Sequence, residues 1–158
     1  MKQFKQINWD KFRLFFLVYT VVPFIMLLGT RSFYWYQQIN LPLLSLPVSL
    51  FLSMFLLFCS LLGFIVYTLH QLPFNAKLKS IKNDLTTAAI LNVLWILFFF
   101  GFKWFLFSFM ITLALLYTLI SALLLFRTEL AEITSYMIYI VLWYILLVLF
   151  NANIALLN

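Results

Sequence analysis

Few groups in this chain can do chemistry, and where they fall is informative. His70 is its one histidine and Cys59 its one cysteine. Neither has a second ligand-type residue at metal spacing, so no metal site is expected. Ten Lys and Arg and four Asp and Glu complete the charged set. All lie at Lys2 to Arg13, Arg31, Lys77 to Asp84, Lys103 and Arg127 to Glu132. Between these clusters run five long apolar stretches without a charge. Proton-coupled transporters and intramembrane hydrolases need buried ionisable groups or a metal cluster there. No Gly-rich phosphate loop or pair of facing carboxylates compensates for that absence. What remains inside the stretches is amides, hydroxyls and rings.

Each of these has two readings. Asn92, Asn151 and Asn153 should face a bundle interior, because an amide turned to lipid leaves its donors unpaired. There they either join helices or line a ligand cavity. Trp95 and Trp143 fall well inside apolar runs, whereas Trp9, Trp35 and Trp104 sit at the ends, where aromatic belts form. The inner pair suits a flat apolar ligand held by stacking, although on spacing alone core packing is the better reading. His70 reads as a polar tip at the end of a span, with axial haem ligation as the rival. Cys59 reads as a small packing residue.

The elements that must carry these groups follow from the swept-out charges. A charge near a bilayer centre costs roughly 2.5–3.5 kcal/mol on insertion scales, and a soluble chain has no reason to avoid that cost. The chain is 66% hydrophobic and 9% charged, against about 25% charged in soluble proteins. Crossing about 30 Å of hydrocarbon takes about 20 helical residues. Spans are therefore expected at about 14–30, 48–70, 86–101, 104–126 and 133–157, in a single all-α integral membrane bundle of five transmembrane helices. The first is read as a retained span rather than a cleaved signal, because Leu28-Gly29-Thr30-Arg31 offers no convincing small-x-small site. Pro23 is expected to kink it. Gly101 and Lys103 should supply the turn and the polar anchor between spans three and four. The segment 77–84, KLKSIKND, should precede a helix capped by Asn83 or Asp84.

Lys2, Lys5, Lys11, Arg13, Lys77, Lys79, Lys82 and Arg127 then share one side, against Arg31 and Lys103 on the other. This places the N-terminus in the cytoplasm and the C-terminus outside, with a bacterial cell membrane as the expected location. The net charge of +6 serves orientation and lipid headgroups, not nucleic acid. Residues 31–47, with two prolines and an aromatic cluster, form either an interfacial belt and turn or a lid over a cavity. Only three glycines leave little scope for Gly-mediated close packing, and a homodimer through other small residues stays open.

Several motifs stand in order along these spans. They are Trp35-Tyr36 followed by Pro42 and Pro47, Leu91-Asn92-x-x-Trp95 with Phe99-Phe100-Gly101, and Trp143 eight residues before Asn151. With the five spans and long first loop, they resemble the TspO/MBR family, the tryptophan-rich sensory proteins related to the mitochondrial translocator protein. The resemblance implies a receptor or sensor holding a porphyrin, haem or sterol-like ligand under the first loop, with no required cofactor. Trp35, Tyr36, Pro42, Pro47, Phe55, Asn92, Trp95, Trp143 and Asn151 would form the ligand site. Leu44, Leu46, Ile96, Leu97 and Tyr139 depart from the family pattern, and Phe55 replaces the Trp of span two. Light-driven porphyrin degradation is attributed in the family to pocket Trp residues. With Phe at 55 the expectation is therefore binding without catalysis. The rivals are a small subunit docking on a larger membrane complex, and a weak tetrapyrrole-modifying enzyme acting through Trp143.

Overall fold

The computed structural model describes residues 8–30, 36, 38–40, 47–72 and 76–158. Trp35 and Pro42, and most of the expected lid, lie outside the described residues. Five helices are long and apolar enough to cross a membrane: α1 (Trp9–Gly29), α2 (Val48–Gln71), α3 (Ala76–Gly101), α4 (Phe105–Glu129) and α5 (Ala131–Leu157). No strand occurs among the described residues. The protein is an all-α membrane bundle, as the charge pattern requires.

Helix α1 starts with Asn8, whose Oδ1 accepts from the Lys11 N–H at 3.2 Å. Its turn at Leu17–Val21 is a π-helix, and Pro23 follows two residues later. Proline has no N–H and its ring collides with the carbonyl four residues back, so a widened turn just before it relieves the clash without ending the helix. Helix α3 ends in a second π turn, Leu97–Gly101, where the Phe102 N–H reaches the Leu97 carbonyl at 2.9 Å. The widened turn brings two consecutive rings, Phe99 and Phe100, onto the buried face.

Helix α3 begins at Ala76, some ten residues earlier than the apolar run suggested. KLKSIKND is therefore helix, and neither Asn83 nor Asp84 caps its start. Leu78, Ile81, Leu85 and Ala88 are buried at helical spacing ahead of Asn92 and Trp95, and they carry the stripe through the charged segment. Asp84 accepts from the Ser121 hydroxyl of α4 at 3.0 Å, and Lys77 pairs with Glu129 at 2.7 Å. The turn into α4 also differs from expectation. Lys103 takes the left-handed backbone, with φ 60°, while Gly101 has ordinary helical geometry. The Trp104 N–H closes the turn on the Phe98 carbonyl at 2.9 Å. A single residue, Leu130, joins α4 to α5.

Contacts run around a ring in the order α1, α2, α5, α4, α3, and α2 also meets α3 across the middle. The layer α3–α4–α5 is extensively packed, whereas α2 meets α3 and α5 more sparsely. Lipid supplies no hydrophobic drive between helices, so shape and hydrogen bonds must hold this ring together. At Gly63 of α2 the backbone of α1 comes so near that a Cβ would stand 3.0 Å from the Tyr19 Cβ. Of the three glycines, Gly63 alone serves close helix packing, in keeping with the small scope their rarity leaves. Around it, the Asn8 N–H donates to the Tyr67 hydroxyl at 2.9 Å, and the Phe15 and His70 rings lie 4.7 Å apart.

Candidate functional site

The ring α1–α2–α5–α4–α3 brings most of the described candidate residues into one aromatic cluster. Helix α2 contributes Phe51, Phe55 and Phe58, at i, i+4 and i+7 on its buried face. Trp95, Phe99 and Phe100 come from α3, and Trp143 and Phe150 from α5. Tyr36 covers the end of the cluster, with its ring 6.1 Å from both Phe51 and Phe150. Phe51 is the hub: Phe55 lies 6.4 Å away, Trp95 6.4 Å and Trp143 6.1 Å. Phe55 packs on Trp95 at 6.0 Å, and Phe58 stacks on Trp143 at 5.1 Å with planes 13° apart. Offset and edge-on pairs of this kind are worth about 0.5–1.5 kcal/mol each beyond burial.

Two amide centres flank the rings. The Trp95 indole N–H donates to Asn151 Oδ1 at 3.0 Å, and the Ser108 hydroxyl lies 3.2 Å from the same oxygen. The Asn151 amide nitrogen donates to the Leu147 carbonyl at 2.8 Å. One turn from Trp95, Asn92 Oδ1 accepts from the Tyr144 hydroxyl at 3.1 Å, and its nitrogen points at Cys59 Sγ, 3.5 Å away. The first centre joins α3, α4 and α5, and the second joins α2, α3 and α5. All six of these polar side chains are buried. Asn92 and Asn151 thus act as helix–helix joints. Asn153 does not face the interior: it is exposed and donates to the Leu149 carbonyl of its own helix at 2.8 Å. That local bond satisfies an amide near a helix end without a neighbouring helix.

Pro47 is exposed and stands at the start of α2, where its carbonyl accepts from the Phe51 N–H at 2.9 Å. It shapes the start of the helix and is not among the ring contacts. Trp9 and Trp104 are exposed near helix ends, as belt residues should be. His70 is exposed, with Nδ1 2.9 Å from the Val66 carbonyl, which matches the polar-tip reading. Burial pushes the Tyr36 phenol up to about 12, so it stays neutral at any ordinary pH. Among the described residues no group of three His, Cys, Asp or Glu is arranged to hold a metal.

One polar atom breaks the economy of the cluster. Trp143 Nε1 is buried and has no hydrogen-bond partner among the described residues. Leaving a buried donor unmade costs about 1–3 kcal/mol, a cost the Trp95 indole avoids through Asn151. Sequence reasoning passed over Phe51, Phe58, Phe150, Tyr144 and Ser108. The i, i+4, i+7 spacing of Phe51, Phe55 and Phe58 was the signal that would have found the α2 members. Comparison of the chain with protein-family models and with curated protein sequences finds no match to either.

Proposed function

We propose that this protein is a TspO-like membrane receptor that binds a planar hydrophobic molecule of the tetrapyrrole type among the rings of α2, α3 and α5. The observation that carries this reading is Trp143, whose face is stacked on Phe58 while its buried N–H waits for an acceptor. A tetrapyrrole offers a broad π face for the rings and carboxylates or ring substituents for the donor. The sparse contact between α2 and the α3–α4–α5 layer supports a mechanism in which α2 swings aside and the ligand plane takes the place of an intramolecular ring contact. The residues 31–47, with Tyr36 already seated on Phe51, then close over the ligand. Occupancy is passed on as a change in the position of α2, with no bond made or broken. The N-terminus faces the cytoplasm of a bacterial cell in this reading, on the strength of the Lys and Arg count.

The test is a titration of the purified protein with protoporphyrin, followed by quenching of Trp emission. Saturable quenching is expected, weakened about three- to tenfold in Trp143→Phe, which keeps a ring and removes the donor. Trp143→Ala should weaken it further. A linear, non-saturating response in the wild type overturns the receptor reading. Stable capture of a larger membrane complex in that case leaves the docking-subunit reading in its place.

A further inference from the structure

The donors around Trp143 Nε1 are already engaged. Asn151 Nδ2 serves the Leu147 carbonyl and Asn92 Nδ2 points at Cys59, while the Tyr144 hydroxyl serves Asn92 and the Trp95 indole serves Asn151. An acceptor brought in by a ligand therefore meets one neutral N–H, that of Trp143. This N–H lies in the plane of the indole, and Phe58 covers one face of the ring with planes 13° apart. The acceptor must then project from the rim of the ligand, not from its π face.

Depth decides the charge of that acceptor. Trp143 lies about 18 Å along α5 from Ala131 and about 21 Å from Leu157, well inside the hydrocarbon. No Lys, Arg or His is among the buried described residues. The titratable side chains on the inward faces are Tyr19 of α1, Cys59 and Tyr67 of α2, Tyr144 of α5, and Tyr36; α3 and α4 bury none. None of these can carry a positive charge. The half-buried Lys82 and Asp84 of α3 stand about 12–15 Å along that helix from Asn92, toward the other end, with Asp84 bonded to Ser121. A carboxylate keeps its charge beside a cation or when it accepts from two or three N–H groups. Facing a lone N–H in lipid, it takes up a proton instead.

We propose, on the receptor reading above, that Trp143 admits only an uncharged acceptor, so that a tetrapyrrole acid binds with uptake of a proton by the carboxyl group that reaches the indole. One proton from water joins a propionate oxygen, C–O⁻ becomes C–OH, and the remaining C=O accepts from Trp143 Nε1. The charge of the protein is unchanged. A carboxyl ester presents the same C=O with no proton to take up, so it is the better ligand at neutral pH. Affinity for the acid is greatest where the free carboxyl is already protonated, below roughly pH 4–5, and falls by up to about tenfold per unit as pH rises above that.

The experiment titrates the full chain in phosphatidylcholine liposomes with protoporphyrin and with its dimethyl ester between pH 5 and 8, following Trp emission and correcting for partition into protein-free liposomes. From pH 5 to 8 the acid should lose affinity by about tenfold or more, while the ester stays within about twofold. The ester also reports any change with pH in the protein itself. Trp143→Phe should weaken the two compounds by a similar factor, about three- to tenfold. Acid affinity unmoved by pH, or acid and ester falling together, overturns the proposal and leaves the receptor reading standing. So does a loss in Trp143→Phe that is much larger for the acid than for the ester, which marks a held carboxylate. Absence of saturable quenching by both compounds at every pH removes the receptor reading and this proposal with it.

Discussion

Trp95 and Asn151 meet at 3.0 Å across α3 and α5, and the Ser108 hydroxyl from α4 sits 3.2 Å from the same carbonyl oxygen. Three helices that share no hydrophobic drive in lipid are thereby tied at one buried point. Replacing Asn151 by Leu removes the acceptor and strands the Trp95 N–H. The expected loss is about 1–3 kcal/mol, read as a fall of several degrees in thermal unfolding followed by circular dichroism in detergent. Asn153→Leu is the control and should be near neutral, because Asn153 is exposed and bonds only within its own helix. Equal effects from the two would mean that the amide centre is not a joint.

Lys103 is held with φ 60°, a conformation that costs an ordinary L-residue about 1–2 kcal/mol and costs glycine nothing. Lys103→Gly should therefore raise the unfolding midpoint, and Lys103→Val should lower it through its branched Cβ. Thermal unfolding of the pair settles the sign. A stabilising Val would contradict the left-handed turn.

Gly63 allows the backbone of α2 to come within side-chain distance of Tyr19. Gly63→Ala requires the α1 contact to give by a few tenths of an ångström, and Gly63→Leu cannot be accommodated without separating the helices. Expected losses are up to about 1 kcal/mol for Ala and about 2–3 kcal/mol or more for Leu. Limited proteolysis should show α1 released first in the Leu variant. Resistance equal to wild type would mean that α1 is held elsewhere.

Tyr36 titrates near 12 in the folded protein against an ordinary 10.0, because burial disfavours the phenolate. Its folded value lies above its unfolded one. The stability tied to the neutral phenol is thus complete below pH 10 and is lost as pH rises through about 12. Alkaline unfolding of Tyr36→Phe should show a shallower decline across that window than wild type. Superimposable profiles would place the phenol in water.

The number of spans was legible in the sequence because lipid excludes charge so strongly that fourteen residues suffice to mark five helices. The start of α3 was not. KLKSIKND contains enough charge to look like a loop, yet its Leu78 and Ile81 fall on the same stripe as Ala88 and Trp95. Helical period, rather than mean polarity, carried the information there. In the site, Asn92 and Asn151 faced inward as their unpaired donors demanded, whereas Asn153 escaped the rule through a bond inside its own helix. Which ring meets which is set by the ring order of the helices, and that depends on pairings distant in sequence. Hence the meeting of Phe58 and Trp143, and the missing partner of Trp143 Nε1, emerged only in three dimensions.

The two short joints at residues 102–104 and at Leu130 carry a consequence in time as well as in space. They leave α3, α4 and α5 almost no loop to close before packing on one another, so the entropy spent in their first encounters is small. The contacts of α1 with α3, and of α2 with α5, span far longer stretches of chain. Local encounters come first when loop closure sets the pace. The packing of α3, α4 and α5 on one another therefore needs little loop closure, whereas the ring is shut by the α1–α3 and α2–α5 contacts. A chain that stalls during synthesis before α5 would leave Trp95 without its acceptor and α2 without a wall, and so would be exposed to quality-control proteolysis.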